Sequence, residues 1–267
     1  MSVTIFIPAR YASSRYPGKP LAELTGAGGE AKSLIRRSWE AATAVSGVDR
    51  VVVATDDDRI ADHARGFGAE VAMTSSDARN GTERCAEAWE AAPGSGDDPI
   101  IVNLQGDAPL TPPWFVEALI GAMRAAPETG MATPVLRCDA DALRGFQEDR
   151  AAGRVGGTTA VLRPDRRALY FSKEVLPYTP TGWDGAPPEV WHHVGVYAYR
   201  PAALAAYAAW PEGPLEKREG LEQLRFLENG AEILCVEVEA KGVSFWELNN
   251  PEDRPKIEAE LKRRGAA

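Results

Sequence analysis

The chain has 267 residues, of which 44% are hydrophobic and 26% charged, and a formal net charge of −9. That composition supports one substantial α/β domain with room for a smaller lobe, and the acidic balance excludes the broad basic face needed for sequence-independent nucleic-acid binding. No apolar stretch approaches the roughly 20 residues that cross a bilayer, residues 1–4 carry no signal-peptide zones, and Cys85, Cys138 and Cys235 are too widely spaced for a zinc site or disulfide framework, so a cytoplasmic protein with buried free thiols and no membrane insertion is expected.

Residues 3–7, Val-Thr-Ile-Phe-Ile, predict a buried first strand stopped by Pro8. Its carboxyl end opens into Pro8-Ala9-Arg10-Tyr11-Ala12-Ser13-Ser14-Arg15-Tyr16-Pro17-Gly18-Lys19-Pro20-Leu21. In open α/β sheets ligands bind at that edge. Arg10, Arg15 and Lys19 stand where a polyphosphate needs them, because guanidinium groups grip phosphate oxygens as planar forks and an ammonium serves as a movable point charge. Pro17 and Gly18 set a bend that aims Lys19 inward. The loop is neither a P-loop nor a dinucleotide fingerprint, since it lacks both glycine patterns. Taken alone, it also fits a solvated basic surface loop.

Apolar runs then alternate with helical patterns: a helix over 32–45, a strand over 50–55, a helix over 57–66 and a strand over 70–73. A helix is expected over 79–91, a strand over 99–104, and a helix over 112–125 with Pro112 and Pro113 in its first turn. This order implies parallel pairing through right-handed crossovers. His63 falls on a polar helix and reads as a surface residue.

Two further motifs sit on these elements. In Asn80-Gly81-Thr82-Glu83-Arg84, Gly81 permits close approach, Thr82 offers a hydroxyl and Arg84 a guanidinium near a helix start, where anions are favoured. The same residues read equally as a helix start, with Asn80 as cap and Glu83 completing a capping box. Leu104-Gln105-Gly106-Asp107-Ala108-Pro109 follows the next strand. An acid at a strand's carboxyl end faces the ligand, so Asp107 is a candidate Mg²⁺ ligand; that ion takes oxygen donors and is usually shared with substrate phosphates. Gly106 would let the backbone pass close beside a base or ribose. The alternative is a β-turn with a capping Asp.

Past residue 131 the rhythm changes. Candidate strands at 131–135, 158–162, 191–199 and 233–238 are separated by longer connections rich in Gly and Pro, which predicts mixed pairing and a substrate-covering lobe. Residues 179–188 read as a mobile loop. Only one of His192 and His193 can face inward from one strand. Trp246, beside Phe245, reads as core.

The Pro8–Leu21 run, Gly81-Thr82-Glu83-Arg84 and Gln105-Gly106-Asp107-x-Pro109 together resemble the 3-deoxy-manno-octulosonate cytidylyltransferase family. The likeness continues through residues 168–172, 193–197, 214–225 and 250–253, so it spans nearly the whole chain. What the resemblance implies is an α/β fold: a mostly parallel, Rossmann-like nucleotidyltransferase sheet with helices on both faces and a smaller mixed-strand lobe for sugar binding and dimerisation. It implies one nucleotidyltransferase domain over 1–267, with a nucleotide-binding part to about 130, a sugar-binding and dimerisation part over about 131–250, and a C-terminal helix over 251–267.

The implied reaction joins CTP to an acidic 2-keto-3-deoxy sugar with Mg²⁺, in a homodimer. By resemblance Arg10, Lys19 and Asp107 are catalytic. Ala9, Arg10, Arg15, Lys19, Thr82, Arg84 and Gln105 surround the nucleotide, while His193, Tyr197, Glu219, Glu222 and Gln223 line the sugar pocket. Leu221, Leu224 and Leu227 have helical spacing, so Glu222, Gln223 and Arg225 also fit the solvated face of a packed helix.

Two positions depart from the family pattern. Asn249 stands where the family carries an Asp that joins the first acid at the metal, so Asp107 and Asn249 form the metal set, with Glu247 nearby as a substitute. Thr159 replaces a lysine expected near the acidic substrate. These departures leave open another acidic 2-keto-3-deoxy sugar or a phosphonate as acceptor and, from a different class, a catalytically silent nucleotide-binding sensor.

Overall fold

The structure, a computed structural model, describes residues 1–13, 16–180, 183 and 185–266. Arg15 lies outside the described residues, as does part of the expected mobile loop at 179–188. The chain divides into two compact units, Met1–Ile120 with Ala240–Ala267, and Gly121–Glu239.

In the first unit the elements run β1 (Val3–Ala9), β2 (Glu23–Thr25), β3 (Ala31–Ser33), α1 (Leu34–Thr43), β4 (Arg50–Thr55), α2 (Asp58–Gly66), β5 (Glu70–Met73), α3 (Gly81–Ala91), β6 (Ile100–Leu104) and the first part of α4 (Pro113–Ala125), which runs past Ile120 into the second. Strands β5-β4-β1-β6 pair in that order, all parallel, as the alternation of strands and helices predicts. Every residue of β1 and β6 is buried, which is why both read as continuous apolar runs. Strand β1 extends past the expected stop at Pro8, because proline's fixed φ is compatible with extended backbone and the register with β4 continues to Ala9 opposite Thr55.

The helix expected over 32–45 begins at Leu34, with Ser33 capping it by accepting from the Arg36 N–H at 3.3 Å. Residues 31–33 instead form an antiparallel hairpin with β2. The C-terminal segment returns to this unit: Leu248, Ile257 and Leu261 pack with Leu24, Leu34 and Leu110.

In the second unit the elements are β7 (Met131–Arg137), α5 (Ala140–Ala151), β8 (Thr158–Leu162), β9 (Ala168–Ser172), β10 (Trp191–His193), β11 (Val196–Tyr199), α6 (Pro201–Ala209), α7 (Pro214–Glu219), α8 (Leu224–Glu228) and β12 (Leu234–Glu237). Pairing is mixed, as expected: β7 runs parallel to β12 and antiparallel to β10 and β11, while β10-β8-β9 are antiparallel. The strand expected over 191–199 is broken at Val194–Gly195. There the Thr133 hydroxyl lies 3.1 and 2.9 Å from the Val194 and Val196 carbonyls, which ladder partners would otherwise take. Helix α7 is tied to α8 by Arg225, whose guanidinium grips Glu216 at 2.7 and 2.6 Å with both side chains buried. Arg225 is therefore a structural strut and not part of a solvated face. The last helix, α9 (Arg254–Arg263), follows a 3₁₀ turn at Pro251–Asp253 and belongs to the first unit.

Candidate functional site

The carboxyl ends of β1 and β6 and the start of α3 enclose a cleft lined by Pro8, Ala9, Arg10, Lys19, Asn80, Gly81, Arg84, Gln105, Gly106 and Asp107 among others. Three cations face one carboxylate there, a local reversal of the chain's overall charge of −9. An anion held by this protein therefore has a specific place to go.

The loop after β1 is shaped by Gly18, whose φ of 70° lies in the left-handed region that favours glycine. Its N–H donates to the Tyr11 carbonyl at 3.0 Å, and a Cβ there would meet the Tyr11 ring at 3.1 Å. The Arg59 guanidinium stacks on that ring, 3.3 Å from its centroid, and is in turn gripped by Asp57 at 2.9 and 2.6 Å. This stack fixes the bend that delivers Lys19 into the cleft. Sequence reasoning found the Gly18 bend and missed the stack, because Tyr11 and Arg59 meet only once β1 and β4 pair.

Lys19 Nζ donates to Asp107 Oδ2 at 2.6 Å, the two side chains being 13% and 25% exposed. The triphosphate cation and the metal carboxylate expected from sequence thus engage each other. Arg10 is exposed at the cleft. Arg84 lines it but is 3% exposed; its Nη1 donates to Thr74 Oγ1 at 2.5 Å and to the Ser75 carbonyl at 3.3 Å, and lies 3.2 Å from Asp56 Oδ1 as an ion pair. Burial pushes the Arg84 guanidinium below its ordinary value, opposed by Asp56. Thr82 is buried and is not among the lining residues.

Asn80 caps α3 by accepting from the Glu83 N–H at 2.9 Å and lines the cleft, while the Glu83 carboxylate accepts from the Arg79 N–H at 2.8 Å. Gly106 lines the cleft, and the close neighbour that requires glycine there is the Pro8 carbonyl, 2.6 Å from where a Cβ would sit, so the residue also brings the ends of β6 and β1 together.

The Leu248 N–H donates to the Asp107 carbonyl at 2.8 Å, which seats Leu248 in the core and brings its neighbours Glu247 and Asn249 to the chain beside Asp107. Asn249 Nδ2 donates to Glu247 Oε2 at 3.3 Å. The donors here are a carboxylate lining the cleft, a second carboxylate and an amide oxygen, a set that suits Mg²⁺ shared with phosphates. Among the described residues no group of three His, Cys, Asp or Glu side chains could hold a metal by itself.

In the second unit the sugar-pocket residues fall into two neighbouring groups. His193 is buried, stacked on Tyr197 with centroids 5.7 Å apart and meeting Phe171 edge-on at 4.9 Å. Its Nε2 is 3.0 Å from Thr133 Oγ1, and burial pushes its imidazole down to about 3, so it is neutral. The Tyr197 hydroxyl donates to Gln223 Oε1 at 3.2 Å, and the buried Gln223 Nε2 has no hydrogen-bond partner among the described residues. Glu219 accepts from the Ser172 hydroxyl at 2.7 Å, the Tyr170 hydroxyl at 3.3 Å and the Lys173 N–H at 3.0 Å. Burial and the Glu219 charge raise the Tyr170 phenol, keeping it a donor. Glu222 is half-buried. His192 faces Phe146 instead, with centroids 5.0 Å apart, in keeping with alternation.

Three other expectations resolve. Thr159 is 1% exposed, and its hydroxyl donates to the Glu174 carbonyl at 2.7 Å and accepts from the Leu176 N–H at 3.2 Å. It holds a turn, so its place is explained by backbone bonding. Trp246 is 44% exposed with Lys256 Nζ 4.5 Å over its ring, which corrects the expectation of a core residue; its neighbour Phe245 takes the core place against Phe115. The three cysteines are buried and free, and burial raises the Cys138 and Cys235 thiols to about 11 and about 12.

The cytidylyltransferase family profile matches residues 4–233. The chain is 43% identical to 3-deoxy-manno-octulosonate cytidylyltransferase of Maricaulis maris over 99% of both chains. It is 40% identical to 8-amino-3,8-dideoxy-manno-octulosonate cytidylyltransferase of Shewanella frigidimarina, over 98% of this chain and 99% of that one. The solved structure of a CMP:2-keto-3-deoxy-manno-octonic acid synthetase complexed with CTP superimposes with a TM-score of 0.83 at 33% identity, covering 99% of this chain and all of the other. The motifs, the fold and these similarities agree, and the chain belongs to the 3-deoxy-manno-octulosonate cytidylyltransferase family.

Proposed function

We propose that the protein transfers CMP from CTP to 3-deoxy-manno-octulosonate, releasing pyrophosphate, for lipopolysaccharide or capsule synthesis. The observation that carries this reading is the cationic cleft of Arg10, Lys19 and Arg84 at the carboxyl ends of two parallel strands, in a chain similar over its whole length to a CTP-bound synthetase. The sugar's anomeric hydroxyl attacks the α-phosphorus of CTP. A new oxygen–phosphorus bond forms, the bond to the β-phosphate oxygen breaks, and pyrophosphate leaves with the electron pair.

Residues of this chain contribute mainly alignment and charge. Arg10, Lys19 and, from the undescribed part of the loop, Arg15 hold the triphosphate. Lys19 leaves Asp107 for the phosphates, freeing that carboxylate. Asp107, with Asn249 or Glu247, would hold Mg²⁺, which would supply positive charge to the leaving phosphates. Ala9, Arg84 and Gln105 form the nucleotide's immediate surroundings, and Thr82 supports them from within α3.

The first unit is the nucleotide-binding part and the second the sugar-binding part. Gln223 Nε2, buried without a partner, offers a donor to a sugar oxygen beside Tyr197. Glu219 and Glu222 accept from sugar hydroxyls, and His193 supports this group as a neutral ring. The protein works in the cytoplasm as a homodimer. No helix among the described residues is long and apolar enough to cross a membrane, and large apolar side chains on the second unit are exposed, including Leu169 and Tyr178.

The 8-amino-3,8-dideoxy acid is the second acceptor to test, because relatives that carry its name are 40% identical. The experiment is pyrophosphate release with CTP and Mg²⁺, comparing the two acids. Higher kcat/KM with 3-deoxy-manno-octulosonate supports the reading. Preference for the amino sugar would replace the acceptor and keep the nucleotide chemistry.

A further inference from the structure

Asn103, two residues before Gln105 and fully buried in β6, has no function in the reading above. Neither its Oδ1 nor its Nδ2 has a hydrogen-bond partner among the described residues. A buried amide with both groups unmade costs stability, and an apolar side chain of similar volume would avoid that cost. Fold stability therefore gives no reason for the amide.

Its position does. Residues two apart on a strand share a face, and the Asn103 and Gln105 amides converge on the first residue of α3. From the point where a Gly81 Cβ would sit, Gln105 Nε2 is 2.9 Å away, Gln105 Oε1 3.0 Å and Asn103 Nδ2 3.2 Å. Gly81 and Gln105 line the cleft, and the fully buried Asn103 is not among its lining residues. Glycine at this point makes room for two primary amides where any other residue would displace them.

We propose that Asn103 is a positioning residue for the nucleotide base: when Gln105 turns its amide to the base, Asn103 supplies the hydrogen bond that holds that amide in place. A primary amide has both donors and acceptors, so Gln105 can serve the base with one group and Asn103 with the other. The fold carries an unmade amide that is used only with nucleotide bound, an exchange of stability for function. This inference rests on Gln105 being a nucleotide-binding residue, and the experiment separates the two.

Affinity for CMP and for inorganic triphosphate is measured by calorimetry on the full chain, alongside thermal midpoints. Asn103→Leu is expected to leave the midpoint unchanged or raised and to weaken CMP binding about tenfold, while triphosphate binding stays within twofold. Asn103→Ala, which removes the amide without adding bulk, should weaken CMP binding in the same way. Gln105→Ala should weaken CMP binding at least as much, and Asn103→Leu combined with Gln105→Ala no more than Gln105→Ala alone, because the two residues act through one contact. If Gln105→Ala weakens CMP binding while both Asn103 variants bind it within twofold of the parent, the inference is overturned and the nucleotide reading stands. Additive losses overturn it as well, and equal weakening of CMP and triphosphate with a lowered midpoint makes Asn103 a structural residue. If Gln105→Ala leaves CMP binding intact, the reading of Gln105 fails and the inference with it.

Discussion

At the scale of single residues, the contact that matters most is Lys19 with Asp107 at 2.6 Å. A partly exposed pair of this kind contributes about 1 kcal/mol or less to folding, so removing its charge should leave the fold nearly as stable. Asp107→Asn keeps the size and removes the charge. Turnover should fall on the order of a hundredfold or more, as when one preorganised electrostatic group is removed, with the thermal midpoint little changed; turnover within a few-fold of the parent would remove Asp107 from the mechanism. His193 makes a second residue-level expectation. Burial holds its folded value near 3, whereas the unfolded chain takes up the proton at the ordinary value near 6.5. The buried neutral ring therefore contributes its full stability above about pH 6.5, and that stability declines as pH falls toward 3. Thermal midpoints measured at pH 7 and pH 5.5 should drop less for His193→Asn than for the parent. His192 acts in the same sense, so the slope should shrink and not vanish.

At the scale of elements, β1, β4, β5 and β6 and their parallel order were legible because buried parallel strands are short apolar runs bounded by turn residues, whereas the short antiparallel β2–β3 hairpin was not. The start of α3 was legible from its cap, Asn80, whereas the side-chain caps Ser33 and Asp57 of α1 and α2 were not read as such. Helices α5, α6 and α7 were not assigned, and α8 was legible only as the helical spacing of Leu221, Leu224 and Leu227. Helix α6 is mostly alanine, with little periodicity to read, and α7 and α8 are only 6 and 5 residues long, held by the buried Arg225–Glu216 pair and not by local preference. Most of the cleft was legible from residue type alone. Asn103 was not, since a polar residue inside an apolar strand announces nothing until its missing partners are seen. The stack of Arg59 on Tyr11 beneath Gly18 gives the element-level expectation. Gly18→Ala should cost about 1–2 kcal/mol of backbone strain and press a methyl group against the Tyr11 ring, at 3.1 Å. We expect KM for CTP to rise several-fold with kcat nearly unchanged, measured by pyrophosphate release at saturating sugar; an unchanged KM would mean that the bend does not set the place of Lys19.

At the scale of the whole molecule, an acidic chain brings three cations to one cleft, and its second unit sets the Tyr197 hydroxyl against Gln223 and the Ser172 hydroxyl against Glu219. That division suits a transferase with two chemically different substrates, one a polyphosphate and one a polyhydroxylated acid. A nucleotide sensor would need only the first. The measurement that separates them is ³¹P nuclear magnetic resonance of the purified protein with CTP, Mg²⁺ and 3-deoxy-manno-octulosonate. We expect a phosphodiester resonance from the CMP-sugar to grow in step with pyrophosphate while the three CTP resonances decline together. CTP that binds and stays intact, with no phosphodiester formed with this acid or its 8-amino counterpart, would contradict the transferase assignment and leave a nucleotide-binding protein without transfer chemistry.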